Sequence, residues 1–316
     1  MRVHVVVNRS SGRRRSTDER VVRDIDLGLR ARGVVATVEL VAPHGVARSV
    51  RRALARSVDA VLVAGGDGTV SAAASMLVGA TRPLGVVPTG TRNNFARDLG
   101  LPLDLDGALA VIADGHMRTV DLAEVNGHTF VNNSSLGLYP DVVALREHER
   151  TRGAGRLPAF ARALWRATRD PTTLEVEVSS NGNRSQRRTS FLVVANNAYQ
   201  LALPTPWSRP RLDGGELALY VAGALNRREL VSLAFDALLD RAGPDRLEAV
   251  RATRLAVASG RHRLRVALDG EVLHLAPPLL YRTLPGALRV LAPDLARNQD
   301  LEPAAGAALG DRVEPA

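Results

Sequence analysis

Four short runs in the first ninety residues are dominated by apolar side chains: "VHVVV" at 3–7, "VVATVEL" at 34–40, "DAVLVAG" at 59–65 and "LGVVP" at 84–88. Between and after them lie helical stretches, Thr17–Arg32, Gly45–Arg56, the segment following Thr69, and Leu105–Ala113. Strands that are apolar on both faces need cover on both faces, so strands alternating with helices predict a Rossmann-like parallel sheet with helices on each side. Ligands of such sheets sit beyond the C-terminal ends of the strands. "NRSSG", "GGDGT" and "PTGT" all fall at those ends.

The texture changes near Thr119. "RTVDLAEV", "HTFVNNSS", "LEVEVSS", "SFLVVAN", "ELALYVA", "RLRVALDG", "EVLHLA" and "LRVLAP" are short, β-rich and punctuated by Gly, Asn and Pro, as in an antiparallel β-sandwich. Helices are expected near 156–168 and 227–240. At 316 residues the chain is long for a single core. The expected division is an α/β domain over 1–122, a β-rich domain over 123–295, and a flexible tail over 296–316.

Composition narrows the chemistry. There is no cysteine, hence no disulfide, no thiol nucleophile and no Cys-ligated metal. All 42 basic residues are arginine, so a P-loop lysine and a Schiff-base lysine are both excluded. Phosphate chemistry here must rest on main-chain N–H groups, arginine and metal. A net charge of +9 suits an anionic surface, while 3% aromatic residues are too few for base-stacking platforms, which argues against nucleic acid. No apolar run is long enough to span a bilayer and no signal peptide is evident, so a cytoplasmic location is expected. None of the seven histidines has metal-ligand spacing.

Three glycines and a carboxylate interrupt the third strand-to-helix junction. Main-chain N–H groups at such a turn form an anion site, and Gly65, Gly66 and Gly68 let phosphate approach without Cβ atoms in the way. Thr69 can cap the helix. Asp67 would repel phosphate unless a divalent cation lies between them. The plain alternative is a tight turn with an Asp cap. Two further segments favour the phosphate site: "PTGTRNNFARDLGLP" at 88–102 and "FVNNSSLGLYPDVV" at 130–143.

With "NRSSG" at 8–12, "GGDGT" at 65–69, "GTRNNFARDLG" at 90–100, "NNSSLGLYP" at 132–140 and "LDGE" at 268–271, the chain resembles the diacylglycerol kinase catalytic-domain family, which includes bacterial lipid kinases and sphingosine kinases. The resemblance implies an NAD kinase- and phosphofructokinase-like first domain and an ATP-dependent lipid kinase that phosphorylates a hydroxyl of a membrane lipid such as diacylglycerol. It places ATP against Asn8, Ser10, Gly65, Gly66, Asp67, Gly68, Thr69, Val70, Ser71, Thr91 and Asn93. It gives Glu271 the role of general base, assisted by Asp269, with Asp67 completing the catalytic set. It also implies a structural Mg²⁺ at Asp213, with Pro210 and Gly215 as neighbours. Asp213 and Asp269 each sit in an Asp-Gly pair, which on its own reads as a turn. Arg92 or Arg97 could meet the γ-phosphate. Asn94 stands where many members have Asp.

Gly155–Asp170 reads as a cationic amphipathic helix with Phe160 and Trp165, suited either to core packing or to an anionic bilayer. The implied partners are ATP and a lipid at the inner face of the membrane, and a homodimer stays open. An NAD kinase-like enzyme and a catalytically weak nucleotide- or lipid-binding regulator are the alternatives.

Overall fold

The computed structural model describes residues 1–9, 15–137, 174–180, 182–189, 191–200, 208–222 and 247–294. Ser10, the amphipathic stretch 155–170, the helices expected near 156–168 and 227–240, and the tail 296–316 lie outside the described residues.

The first 125 residues alternate as expected. Strand β1 (Arg2–Asn8) leads to α1 (Arg15–Ala31), β2 (Val35–Val41) to α2 (Val46–Leu54), and β3 (Ala60–Gly65) to α3 (Asp67–Met76). Strand β4 (Leu84–Pro88) is followed by α4 (Asn94–Asp98), α5 (Leu105–Asp114) and β5 (Met117–Val125). The four strands pair in parallel in the order β2-β1-β3-β4. Alternating side chains of β3 explain why both faces need helices. Val61 and Val63 pack into a core shared with α2, α3 and α4, whereas Ala60, Leu62 and Ala64 pack into one shared with α1 and α5. The strand order reverses between β1 and β3, so the switch point, where such sheets place their ligand crevice, falls where Asn8 and Gly65 end their strands.

The remaining strands are β6 (His128–Phe130), β7 (Asn133–Gly137), β8 (Leu174–Ser180), β9 (Asn183–Thr189), β10 (Phe191–Asn196), β11 (Leu217–Ala222), β12 (Leu247–Ala252), β13 (Arg254–Ala258), β14 (Leu264–Leu268), β15 (Glu271–Leu275) and β16 (Leu279–Leu291). Six of them form a second, antiparallel sheet in the order β12-β11-β10-β7-β14-β15. The others extend the first sheet: β16 lies parallel to β4 at Val290 and Leu84, and antiparallel to β5 and β13. A third core, with Phe130, Leu136, Val194, Leu219, Val266 and Tyr281, fills the space between the two sheets. The fold class expected from the sequence is the one observed.

Four strands depart from the sequence reading. β9 is too polar to stand out as a strand, and β12 and β13 are separated by Thr253 alone, with no turn signal between them. β16 is longer than "LRVLAP" suggested, because Pro285-Gly286 reads as a turn. The structure absorbs that pair as a bulge between Leu284 and Leu288, and pairing with β5 resumes beyond it.

Candidate active site

The floor of the crevice is made from two strand-to-helix turns packed main chain on main chain. A Cβ at Gly90 would overlap the Gly66 backbone, and one at Gly65 would overlap Thr69. Glycine is therefore dictated here by close approach. The Thr69 and Val70 N–H groups already donate to Gly66 O, at 2.9 and 3.1 Å. The amides at the start of α3, at Asp67 and Gly68, have no such intrahelical acceptor. Thr69 Oγ1 accepts from Asn8 Nδ2 at 2.7 Å, and Asn8 Oδ1 is buried with no hydrogen-bond partner. A buried oxygen left without a partner among the described residues, at the switch point of a parallel sheet, is a candidate acceptor for a ligand.

The second turn is held by Asn93, whose backbone is left-handed at φ 52°. Its side chain accepts from Gly90 N at 3.0 Å and donates to Gly90 O at 3.1 Å. Asp67 Oδ1 accepts from Phe95 N at 3.1 Å, which ties α3 to the first turn of α4; Oδ2 has no partner among the described residues. Thr91, Arg92, Asn94 and Arg97 are exposed.

Across the crevice stands Asp269. It and Gly270 form the two-residue turn of the β14–β15 hairpin, with φ 47° and 92°, so the turn reading of this Asp-Gly pair holds. Its carboxylate does more. Oδ2 accepts from Ser71 Oγ at 2.6 Å and Val131 N at 2.7 Å, and Oδ1 from Asn132 N at 2.7 Å and Asn133 N at 3.1 Å. Burial pushes this carboxyl above the usual aspartate value, while the Ser71 hydroxyl and the three amides oppose the rise. Glu271 begins β15 two residues on, with its side chain exposed.

Several supporting residues had no signal in the sequence. Arg209 donates from Nε to Asp98 Oδ2 at 2.7 Å, inside the protein. Burial raises the Asp98 carboxyl, and the Arg209 charge opposes it. Asn133 Nδ2 donates to Tyr199 OH at 2.8 Å, and burial lifts that phenol to about 12. Asn196 and Asn197 bind Asp121 through its carbonyl and carboxylate at 2.9 and 3.1 Å. Asp121 also accepts from Gly215 N at 2.6 Å and from Gly286 N at 2.8 Å, inside the β16 bulge. A buried carboxylate that repairs a bulge many residues away is invisible to local pattern.

Pro210, Asp213 and Gly215 lie on the loop entering β11. Asp213 is exposed and accepts from Arg211 Nε at 3.3 Å. Among the described residues no cluster of three His, Cys, Asp or Glu side chains could hold a metal, and no helix is long and apolar enough to cross a membrane.

The profile of the "Diacylglycerol kinase catalytic domain" family matches residues 2–125. A "Probable lipid kinase YegS-like" protein of Yersinia enterocolitica is 38% identical over 122 residues, 37% of this chain and 41% of its own length. One of the same description from Yersinia pestis is 32% identical over 151 residues, 46% of this chain and 51% of its own length. An "Uncharacterized protein sll0036" of Synechocystis is 26% identical over 239 residues, 74% of this chain and 54% of its own length. The chain thus spans about half the length of the curated relatives it matches. A solved diacylglycerol kinase of Bacillus anthracis shares the fold, with a TM-score of 0.71 at 21% identity over 93% of this chain and 98% of that one. Residues 2–125 thus match the diacylglycerol kinase catalytic-domain family, relatives described as probable lipid kinases share that region, and the fold is that of the solved kinase.

Proposed function

We propose that this protein is an ATP-dependent lipid kinase that transfers the γ-phosphate of ATP to a hydroxyl of a membrane lipid such as diacylglycerol. The observation that carries the reading is the facing of two halves. A cradle of touching main chains at Gly65, Gly66 and Gly90 lies on one side, and the Asp269–Glu271 hairpin, joined to it by the Ser71 bond, lies on the other.

In this reading the polyphosphate lies over the N-terminus of α3, against the Asp67 and Gly68 amides, Thr69 and Ser71, with Thr91 at the neighbouring turn. Asn8 Oδ1 is the acceptor for the nucleoside end, and Ser10, outside the described residues, is a further candidate there from the sequence. The crevice fits a polyphosphate because its floor leaves no room for Cβ atoms and its first amides are unpaired. Glu271 takes the proton from the acceptor hydroxyl. Asp269, with both oxygens engaged by donors, holds the hairpin in place. Arg92 and Arg97 stand exposed beside the turn, where they can meet the departing charge.

Mg²⁺, when bound, neutralises charge developing on the transferred phosphoryl group. Asp67 Oδ2 is the carboxylate oxygen free for it, and a lone carboxylate suits a cation that keeps most of its waters. Asp213, with the neighbouring main chain of Pro210 and Gly215, is the candidate for a second, structural cation. The lipid acceptor and the positive charge of the chain suit work at the anionic inner face of a membrane.

The test is labelled ATP and Mg²⁺ with a total lipid extract, comparing the wild type with Glu271→Gln. Labelled lipid from the wild type, reduced about 10²–10⁴-fold in the variant, is expected. ATP binding with no labelled lipid from either would replace the kinase by a nucleotide-binding regulator.

A further inference from the structure

One guanidinium lies in the interior. The Arg209 side chain is 0% exposed and the Asp98 side chain 7%. Nε donates to Asp98 Oδ2 at 2.7 Å, and the Arg209 main-chain N–H donates to Asp98 Oδ1 at 3.2 Å. Nη1 donates to Val131 O at 2.7 Å and to Asn196 O at 3.2 Å, and Nη2 to Asn132 Oδ1 at 2.6 Å. A buried ion pair is a weak device for stability, because desolvating both charges offsets their attraction. Its planar fork, however, fixes several acceptors in one geometry, which the single ammonium of a lysine cannot do.

The acceptors it fixes are informative. Val131 and Asn132 belong to the short link between β6 and β7, and the N–H groups of Val131, Asn132 and Asn133 are the ones Asp269 accepts. The link is therefore gripped on its carbonyl side by a cation and on its amide side by an anion. Each grip is anchored in the first domain, the cation on α4 through Asp98 and the anion on α3 through Ser71. α3 and α4 follow the two glycine turns.

The geometry points to Arg209 and Asp98 as positioning residues for phosphoryl transfer. They hold Val131–Asn133 so that Asp269, and with it Glu271, keeps a fixed relation to the phosphate cradle. The inference rests on the proposed kinase reading. Neither residue touches the reacting atoms, and the effect passes through the link and Asp269. Losing the grip should therefore lower kcat and leave the KM for ATP nearly unchanged, since the cradle itself is main chain.

The deciding variant is the double substitution Asp98→Leu with Arg209→Met, which removes both charges and orphans neither. The full chain is assayed on lipid extract for kcat and for the KM of ATP, and amide hydrogen exchange is followed at Val131–Asn133. Expected are a kcat lower by about 10²-fold, a KM for ATP within about twofold, and exchange at the three amides faster by about 100-fold. A folded double variant with wild-type kcat, or with unchanged exchange, overturns the inference, as does a loss that falls on the KM for ATP. If the double variant does not fold, Arg209→Lys decides. It keeps the charge but cannot reach Asp98, Val131 and Asn132 together, so wild-type kcat and exchange in it would equally overturn the inference. A wild type that phosphorylates no lipid refutes the kinase reading, and the exchange measurement still decides whether the pair holds the link.

Discussion

The two walls of the crevice are built from different materials. On the first side, glycine turns touch through their main chains, and side chains add short ties, Asn93 within its own turn and Asn8 and Asp67 between neighbouring elements. On the opposite side, buried charged and polar side chains hold irregular backbone in place: Asp269 on three amides, Arg209 on two carbonyls, Asp121 on the bulge of β16. A wall of main chain is fixed by what it lacks, so adding one carbon harms it. A wall of side chains is fixed by what it has, so removing a group leaves its partners unsatisfied.

This contrast sets the sizes of the expected effects. Asp269→Ala takes the acceptor from four donors at once and should cost about 3–5 kcal/mol in denaturant unfolding. A cost under about 1 kcal/mol would mean that water replaces the carboxylate and that the second wall is not held by side chains. Gly90→Ala forces a Cβ into the Gly66 main chain and should cost about 1–3 kcal/mol, with nucleotide affinity lost as the turns part. Retained affinity, measured by calorimetry, would remove close approach as the reason for glycine there. Ser71→Ala deletes a single bond between the walls and should cost about 1 kcal/mol; if it costs as much as Asp269→Ala, the walls are coupled through that hydroxyl.

The smallest effect lies away from the crevice. His4 on β1 is buried, its Nε2 3.3 Å from Glu39, with Arg52 and Arg56 near by. Burial lowers its pKa below the usual histidine value despite the Glu39 carboxylate. A histidine depressed in the folded state contributes full stability above its unfolded pKa and loses it as pH falls. Unfolding free energy should therefore decline below about pH 6.5, and His4→Leu should flatten that decline. An unchanged slope would assign it to other groups.

The same contrast explains how far the sequence could be read. The first wall is local: five consecutive residues, "GGDGT", carry the turn, the cap and the close approach, and the strand-helix alternation around them predicts the parallel sheet. The second wall is assembled from distant positions. Arg209 and Asp98 are 111 residues apart, and Ser71 and Asp269 are 198 apart. Nothing within a window of ten residues marks "SRPRLDGG" as the source of a buried guanidinium. Asp269 is instructive because both of its readings apply. The Asp-Gly pair is a hairpin turn by local chemistry, and its carboxylate is a structural anion by tertiary contact. Local pattern gives way again at Pro285-Gly286, where a remote carboxylate, Asp121, makes a bulge out of an apparent strand end.

Strand β16 has a consequence for synthesis. Its last residues lie against β4, so the sheet of the first domain gains that edge cover only from residues near 290. A nascent chain that has emerged from the ribosome as far as β15 holds every glycine turn of the cradle, yet β4 still presents an open flank to other unfinished chains. The parallel half of that sheet begins folding first and finishes last, so its maturation awaits the strands that follow it.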